Sequence, residues 1–131
     1  MGTRSLTFVY DEYENSKIVN MYRQFDGYPS GHGAELATFL RGSVFVNGYA
    51  GKDAPQFNGM SCMAAQMVAH FKDGVGGFYL YPTKQTDLGQ DYEYHVYKDK
   101  VVVKQCYGKR KQIFSGSYED FERFCSMVMS D

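Results

Sequence analysis

The segment 23–33, with the sequence RQFDGYPSGHG, concentrates residue types that can bind a charged group. Its glycines allow positive φ angles and close approach of another group to the backbone, and its proline stiffens the turn. The segment runs directly into a helical pattern, and unpaired N–H groups at a helix start favour an anion. The pattern therefore predicts a site for a phosphate or carboxylate, with a tight turn that only caps the helix as the alternative. The loop residues assigned to this site are Asp26, Tyr28, Ser30, His32 and Gly33.

Polar residues elsewhere in the chain are expected to converge on this loop. Arg4 lies on the first predicted strand and Gln24 at the end of its hairpin partner, so pairing of the strands would place both beside the loop. Arg4 would bind a phosphate through two hydrogen bonds, or it would form an ion pair with Asp26 that pins the loop. Gln66 and His70 are i, i+4 neighbours on a predicted helix, on the side away from its methionines. They would line the same pocket or bond to backbone groups in the core.

Motifs that mark catalytic and metal sites are absent from the sequence. It contains no GxSxG, no HExxH and no Gly-Lys-Ser/Thr ending of a phosphate-binding loop. Its three cysteines are widely spaced without a CxxC pair, which argues against a zinc site or a disulfide framework. The sequence therefore favours a binding domain without metal or cofactor. The enzymatic alternative is a small hydrolase or phosphodiesterase with Asp26, His32 and His70 as acid–base groups.

Composition limits the classes of partner. The chain has 131 residues, with 14 basic and 15 acidic side chains and a formal net charge of −1, which argues against nucleic-acid binding. No apolar run approaches the roughly 20 residues needed to span a bilayer, and the first residues lack the apolar region of a signal peptide. Scattered thiols fit a reducing compartment. These features predict a cytoplasmic protein, in its own cell or in an infected host, that does not bind membranes.

Hydrophobic periodicity predicts a single α+β domain over residues 1–131. Its sheet is expected to be mainly antiparallel, with about three helices packed on one face, and it opens with a hairpin of two strands. The predicted strands are 5–10, 17–25, 77–82, 92–98, 100–107 and 111–115, with a short extended piece at 43–49. The predicted helices are 34–42, 60–71 with Asn58 as N-cap, and a third that begins after the N-cap Ser117.

Alternation in the segment DYEYHVYK, residues 91–98, predicts a strand with one core face and one face open to water, so His95 is expected to be exposed. The chain also contains 12 tyrosines, whose rings combine an apolar face with a polar tip. A tyrosine-rich sheet suits contact with another protein, and unpaired edge strands would allow a homodimer.

Three stretches of the chain resemble a family of small proteins from bacteriophages and bacteria without an assigned activity. They are GTRSLT, QFDGYPSGHG and FNGMSCMAAQMVAHFKDGVGGFYL, within roughly residues 2–82. The shared features are a Gly-Thr-Arg opening before a hydrophobic strand and a Gln-aromatic-Asp-Gly-Tyr-Pro turn. The resemblance implies a compact domain and a phage setting, and it implies no catalytic residue. The residues that it places in one unit are Arg4, Gln24, Asp26, Gly27, Tyr28, Pro29 and Gly33.

Together these observations predict a domain that binds a small anionic or nucleotide-like ligand without turning it over. Tyr28 would stack on a ring of the ligand, while Arg4 and the loop amides would hold its negative charge. In a phage setting such a domain would act against host defence by sequestering a signalling nucleotide. The alternative is an interaction module that inhibits a host protein through the tyrosine-rich sheet surface.

Overall fold

The computed structural model describes residues 2–46 and 56–128. These residues form a six-stranded sheet, a two-stranded sheet and three α-helices, the α+β architecture predicted from the sequence. In chain order the elements are β1 (Ser5–Tyr10), β2 (Lys17–Arg23), α1 (Ala34–Leu40), β3 (Val44–Phe45), β4 (Gln56–Phe57), α2 (Gly59–Phe71), β5 (Phe78–Tyr81), β6 (Tyr92–Val96), β7 (Val101–Gln105), β8 (Lys111–Gly116) and α3 (Tyr118–Met127). Among them, no helix has the length and apolar character to cross a membrane.

The large sheet has the strand order β5-β2-β1-β6-β7-β8. All neighbours are antiparallel except β1 and β6, which run parallel at the centre. The predicted N-terminal hairpin is confirmed as β1 and β2, and β6, β7 and β8 form consecutive hairpins. The parallel pair joins these two halves of the chain, and β5 returns to pair with β2 at one edge.

One face of the sheet carries the main hydrophobic core, beneath the three helices. The methionine stripe of α2 is buried there, as its helical spacing predicts. The helix side of this core also contains Phe121 and Cys125 of α3 and Leu36 and Leu40 of α1. The prediction of helices packed on one face is therefore confirmed.

The opposite face is covered at its centre by residues 82–91, here called the strap. The amide nitrogen of the Asn20 side chain donates to the main-chain oxygens of Pro82 (3.2 Å) and Gln85 (2.8 Å), which holds the strap against β2. Leu88 packs on a small apolar cluster centred on β1. His95 stacks on Phe8 and Tyr10 of β1 on this face and is only 7% exposed, so the prediction of an exposed His95 on an open face is wrong.

The starts of the helices differ from their predicted form in two cases. A π-helical turn, Pro29–Gly33, precedes α1. Asn58 does not cap α2 through its side chain; instead Glu12 accepts a hydrogen bond from the main-chain N–H of Met60 at 3.0 Å. The predicted cap of α3 is confirmed, since the Ser117 hydroxyl accepts from the N–H of Asp120 at 3.1 Å.

The extended piece predicted at 43–49 is present as β3, which pairs in parallel with β4. Its remainder from residue 47 lies outside the described residues, as do residues 51–55 of the following stretch, which the pattern predicts to be a loop. β4 itself falls in that predicted loop, whose only described strand residues are Gln56 and Phe57.

Candidate functional site

The segment 23–33 folds into a turn in which several main-chain N–H groups are paired inside the protein. Four of its N–H groups donate to main-chain oxygens of the turn or of the N-terminal segment. Donor first, the pairs are Gly27 to Thr3 (2.8 Å), Gly31 to Tyr28 (2.9 Å), His32 to Asp26 (2.7 Å) and Gly33 to Tyr28 (3.4 Å). Because these amides already have acceptors, the geometry does not favour an anion cradled by them.

The glycines of this turn are explained by packing. A Cβ on Gly27 would lie 2.8 Å from the carbonyl carbon of Arg4, and a Cβ on Gly33 would lie 2.8 Å from the sulfur of Cys125. Neither glycine has a positive φ angle; the left-handed residue of the turn is Asp26, with φ of 60°. The small size of the glycines lets β1 and α3 approach the turn closely.

His32 lies inside the core, where no part of it is exposed. A guanidinium can only donate, so Arg23 donates to Nδ1 of His32 at 3.2 Å, and Nε2–H donates to the hydroxyl of Thr7 at 2.8 Å. Burial first, and then the charge of Arg23, lower the pKa of His32 to about 3. His32 is therefore a neutral internal residue whose two ring nitrogens are both engaged.

Arg4 and Asp26 do not form the predicted ion pair within the described residues. The main-chain N–H of Arg4 donates to the carboxylate of Asp91 at 3.0 Å, and the Arg4 guanidinium lies beside Gly89. The carboxylate of Asp26 accepts from the hydroxyl of Tyr28 at 3.4 Å. Arg4 thus faces the strap, away from the polar side chains of the turn.

A hollow of about 490 Å³ lies beside the turn, between α1 and the end of α2. Two predicted site residues, Ser30 and His70, line this hollow together. Glu35 and Asp73 line it as well, whereas no lysine or arginine among the described residues is part of the lining. This charge pattern disfavours an anion. Gln66 lies outside the hollow, on the exposed side of α2. The main-chain N–H of Gln24 donates to the main-chain oxygen of Gly77, directly before β5.

A buried polar cluster on the strap side of the sheet was missed by the sequence reasoning. Its centre is Glu93, whose side chain is 2% exposed. The carboxylate accepts two hydrogen bonds from Arg110 (2.9 and 2.6 Å), one from Gln90 (2.8 Å) and one from Nε2 of His95 (3.0 Å). We call these residues, with Tyr10, the Glu93 network.

The protonation states of the Glu93 network follow from its contacts. Burial alone would raise the pKa of the Glu93 carboxyl, but hydrogen bonds from His95, Arg110 and Gln90 outweigh it and hold that pKa well below its usual value. Nε2 of His95 donates to Glu93, and Nδ1 of the same ring forms a hydrogen bond of 2.6 Å with the Tyr10 hydroxyl. Burial raises the pKa of Tyr10 far above its usual value. The Glu93 carboxylate and the Tyr10 hydroxyl thus hold β6 to β1, to the strap and to the β7–β8 turn through these hydrogen bonds.

The sequence does carry a signal for this network. Glu93 and His95 are two residues apart on one predicted strand and so share a face. A glutamate is rarely buried without a partner, and the partner Arg110 lies in the turn between β7 and β8, directly before β8. What the sequence does not show is the strap, which closes over this face and turns an ordinary surface pair into a buried one.

The described surface has an apolar groove between α2 and β5, here called the α2–β5 groove. Its volume is about 230 Å³. Of the side chains that line it, Tyr79 and Leu80 are 42% and 56% exposed. The groove is lined by Met21, Val68, Lys72, Phe78, Tyr79 and Leu80.

A polar hollow of about 530 Å³ lies at the end of the sheet, between the β1–β2 and β6–β7 turns. It is lined by Glu12, Asn15, Tyr97, Lys98, Asp99 and Lys100. Lys98 and Lys100 form no ion pair with any described residue, and the ammonium of Lys100 lies 5.1 Å from the centre of the Tyr97 ring. We call it the turn-end hollow.

Comparison with known proteins gives no relative from which a site could be transferred. No family model matches the chain, and neither a curated protein nor a solved structure matches it. The resemblance to phage and bacterial proteins therefore stays a prediction. Within residues 2–46 and 56–128, no group of three or more His, Cys, Asp or Glu side chains is arranged to hold a metal ion.

Proposed function

We propose that this chain is a protein-binding domain that holds an apolar side chain of its partner in the α2–β5 groove. The observation that carries the proposal is the groove itself, whose walls are the side chains of Met21, Val68, Phe78 and Leu80. Apolar side chains exposed next to one another on a soluble domain mark sites of contact with other proteins. The alternative from the sequence was also an interaction module, but one that uses a tyrosine-rich sheet surface; the groove lies at one edge of the sheet, and Tyr79 is the tyrosine in its lining.

The size of the groove favours a side chain over a free ligand. Sites for small organic ligands usually have volumes of about 300–1,000 Å³. A groove of 230 Å³ is smaller than this, and it is open along one side. It suits one or two large apolar side chains that project from a partner, as at the centre of many protein interfaces.

Charge at the rim adds a preference for an acidic partner. Lys72 is the charged residue of the lining, and no carboxylate in the described part of the chain forms an ion pair with it. Its ammonium lies 5.5 Å from the centre of the Tyr79 ring. A partner with an aspartate or glutamate beside its apolar anchor would complement this rim.

Selection of peptides from a random 12-residue library displayed on phage tests the proposal. We expect enriched peptides to combine a leucine, phenylalanine or tryptophan with at least one acidic residue, because these complement the groove and its rim. In the Leu80→Glu variant, their affinity should fall at least tenfold, as measured by isothermal titration calorimetry on synthetic peptides. Leu80 is more than half exposed, so the substitution should leave the fold intact.

Met127→Glu is the matched control, since Met127 is an 80% exposed apolar residue on α3. It should bind the selected peptides as the parent protein does. Peptides that bind Leu80→Glu as tightly as the parent, or a selection without any binder, would overturn the proposal.

A small anionic ligand in the turn-end hollow is the second candidate function. The observation that favours it is the pair of lysines, Lys98 and Lys100, which line a hollow of about 530 Å³ and form no ion pair in the described chain, although Glu12 and Asp99 line the hollow as well. The ring of Tyr97 lies beside them. An aromatic surface next to two cations fits a nucleotide better than a neutral ligand.

A thermal-shift panel separates this candidate from the first. Mono-, di- and cyclic nucleotides at 1 mM should raise the melting temperature by several degrees, whereas the matched nucleosides should not, since a bound ligand stabilises only the folded state. The Lys98→Gln, Lys100→Gln double variant should lose the shift, and Lys109→Gln at an exposed turn should keep it. Equal shifts with nucleosides, or none with any nucleotide, would remove this candidate.

A further inference from the structure

The edge of the sheet beside the groove restricts what form the partner can take. β5 is the outermost strand, and an outer strand normally offers backbone groups to a strand from another chain. Gln24 donates to the main-chain oxygen of Gly77 at 2.9 Å. Antiparallel pairs alternate, so Tyr79 and Tyr81 direct their backbone groups to β2, while Phe78 and Leu80 direct theirs outward.

The outward groups of Phe78 are already occupied. Its N–H donates to the main-chain oxygen of Gly76 at 2.8 Å, and its oxygen accepts from the ammonium of Lys72 at 2.7 Å. Lys72 also donates to the oxygen of Gly76 at 3.0 Å. At the other end of β5, the next residue is Pro82, which has no main-chain N–H that could donate to an incoming strand.

Leu80 is thus the one residue of β5 that keeps both backbone groups for an incoming strand. A strand held by a single residue would lack the ladder of hydrogen bonds on which strand addition depends. A helix satisfies its own backbone groups and needs only side-chain contacts. The same lysine that blocks the edge presents its charge at the rim of the groove.

We infer that the partner segment is an amphipathic helix, with its apolar side chains in the α2–β5 groove and an acidic side chain facing Lys72. The inference rests on the proposed function and specifies the partner of that site. Helices meet at axis distances of about 8–10 Å, so a helix lying along α2 would reach Phe78 and Leu80 with its apolar face. Lys72 then serves two purposes, since it excludes strands and selects acidic helices.

Two display libraries of equal diversity test the inference, one on a helical scaffold and one on a β-hairpin with a free edge. We expect binders that depend on Leu80 from the helical library only. The Lys72→Gln variant should bind the acidic helical peptides at least fivefold more weakly than the parent, whereas Lys109→Gln should bind them equally.

The outcomes separate the two proposals. Hairpin binders that lose affinity in Leu80→Glu would keep the groove as a docking site but overturn the helical partner. A dimer of the parent protein by sedimentation velocity, abolished by Leu80→Pro, would overturn it as well, because β5 would then accept a strand from a second copy. Failure of both libraries to give any binder that depends on Leu80 would overturn the proposed function itself.

Discussion

Lowering the pH from 6.5 towards 4.5 is expected to destabilise the folded protein by roughly 1.4 kcal/mol per pH unit through His32. The pKa of His32 falls from an ordinary 6.5 to about 3 in the fold. Between these values the unfolded chain binds a proton that the folded protein excludes. The stabilisation is therefore complete above pH 6.5 and is lost as the pH falls towards 3.

The physical reason is the site that encloses the imidazole. Arg23 donates to one ring nitrogen, so a proton there would break this hydrogen bond and set two cations in contact. Phe71 and Tyr94 pack around the ring at centroid distances of 5.2 and 5.1 Å and keep water away from it. A protonated His32 would be separated from Arg23 and hydrated only if this part of the core unfolds.

Urea unfolding at several pH values, in the parent protein and in His32→Gln, measures the effect. The variant should be less stable at pH 7, because glutamine fills the site poorly. Between pH 6.5 and 4.5, however, its unfolding free energy should depend less steeply on pH, because unfolding of the variant takes up about one proton fewer than unfolding of the parent protein. His70→Gln controls for loss of a histidine as such, since His70 is exposed on α2. Equal slopes for parent and His32→Gln would contradict the assignment.

Local patterns predicted the elements because local rules generate them. The alternation in β1 and β2, the methionine stripe of α2 and the Ser117 cap of α3 each depend on residues close in sequence. From the sequence, the glycines of segment 23–33 were also attributed to positive φ angles and close approach; none of them has a positive φ angle, and close approach explains Gly27 and Gly33. Their purpose could not be predicted, because the atoms that approach them belong to Arg4 and Cys125, which are distant in sequence.

Burial on the second face of the sheet escaped prediction for a similar reason. Tyr10 and His95 are 85 positions apart, and they meet because β1 and β6 pair in parallel. Parallel pairing leaves no turn signal in the sequence, since the strands are joined by most of the chain. The strap likewise has the composition of a loop, and its attachment to Asn20 depends on the completed sheet. The polar face of an amphipathic strand can therefore be buried by an irregular segment without any change in the strand's own pattern.

Replacing Glu93 by glutamine is expected to lower the free energy of unfolding by about 2–4 kcal/mol, the cost of leaving buried polar groups without partners. The variant keeps the size of the side chain but removes the charge that binds Arg110, and its amide would face the donors of Gln90 and His95. Urea unfolding at pH 7 measures the loss. Glu119→Gln is the matched control, since Glu119 pairs with Arg123 on the exposed side of α3 and should cost less than about 1 kcal/mol.

The pH dependence distinguishes loss of the charge from a packing defect. The pKa of Glu93 is held below its ordinary value of 4.5, so its stabilisation is present above pH 4.5 and is lost as the pH falls further. The difference in stability between parent and Glu93→Gln should therefore shrink below pH 4.5, as the parent's own carboxylate becomes protonated on unfolding. A difference that stays constant down to pH 3 would mean that shape, and not the ionised carboxylate, carries the contribution of Glu93. Because His32 acts between pH 6.5 and about 3, only the loss between pH 6.5 and 4.5 belongs to His32 without Glu93, and both groups contribute below pH 4.5.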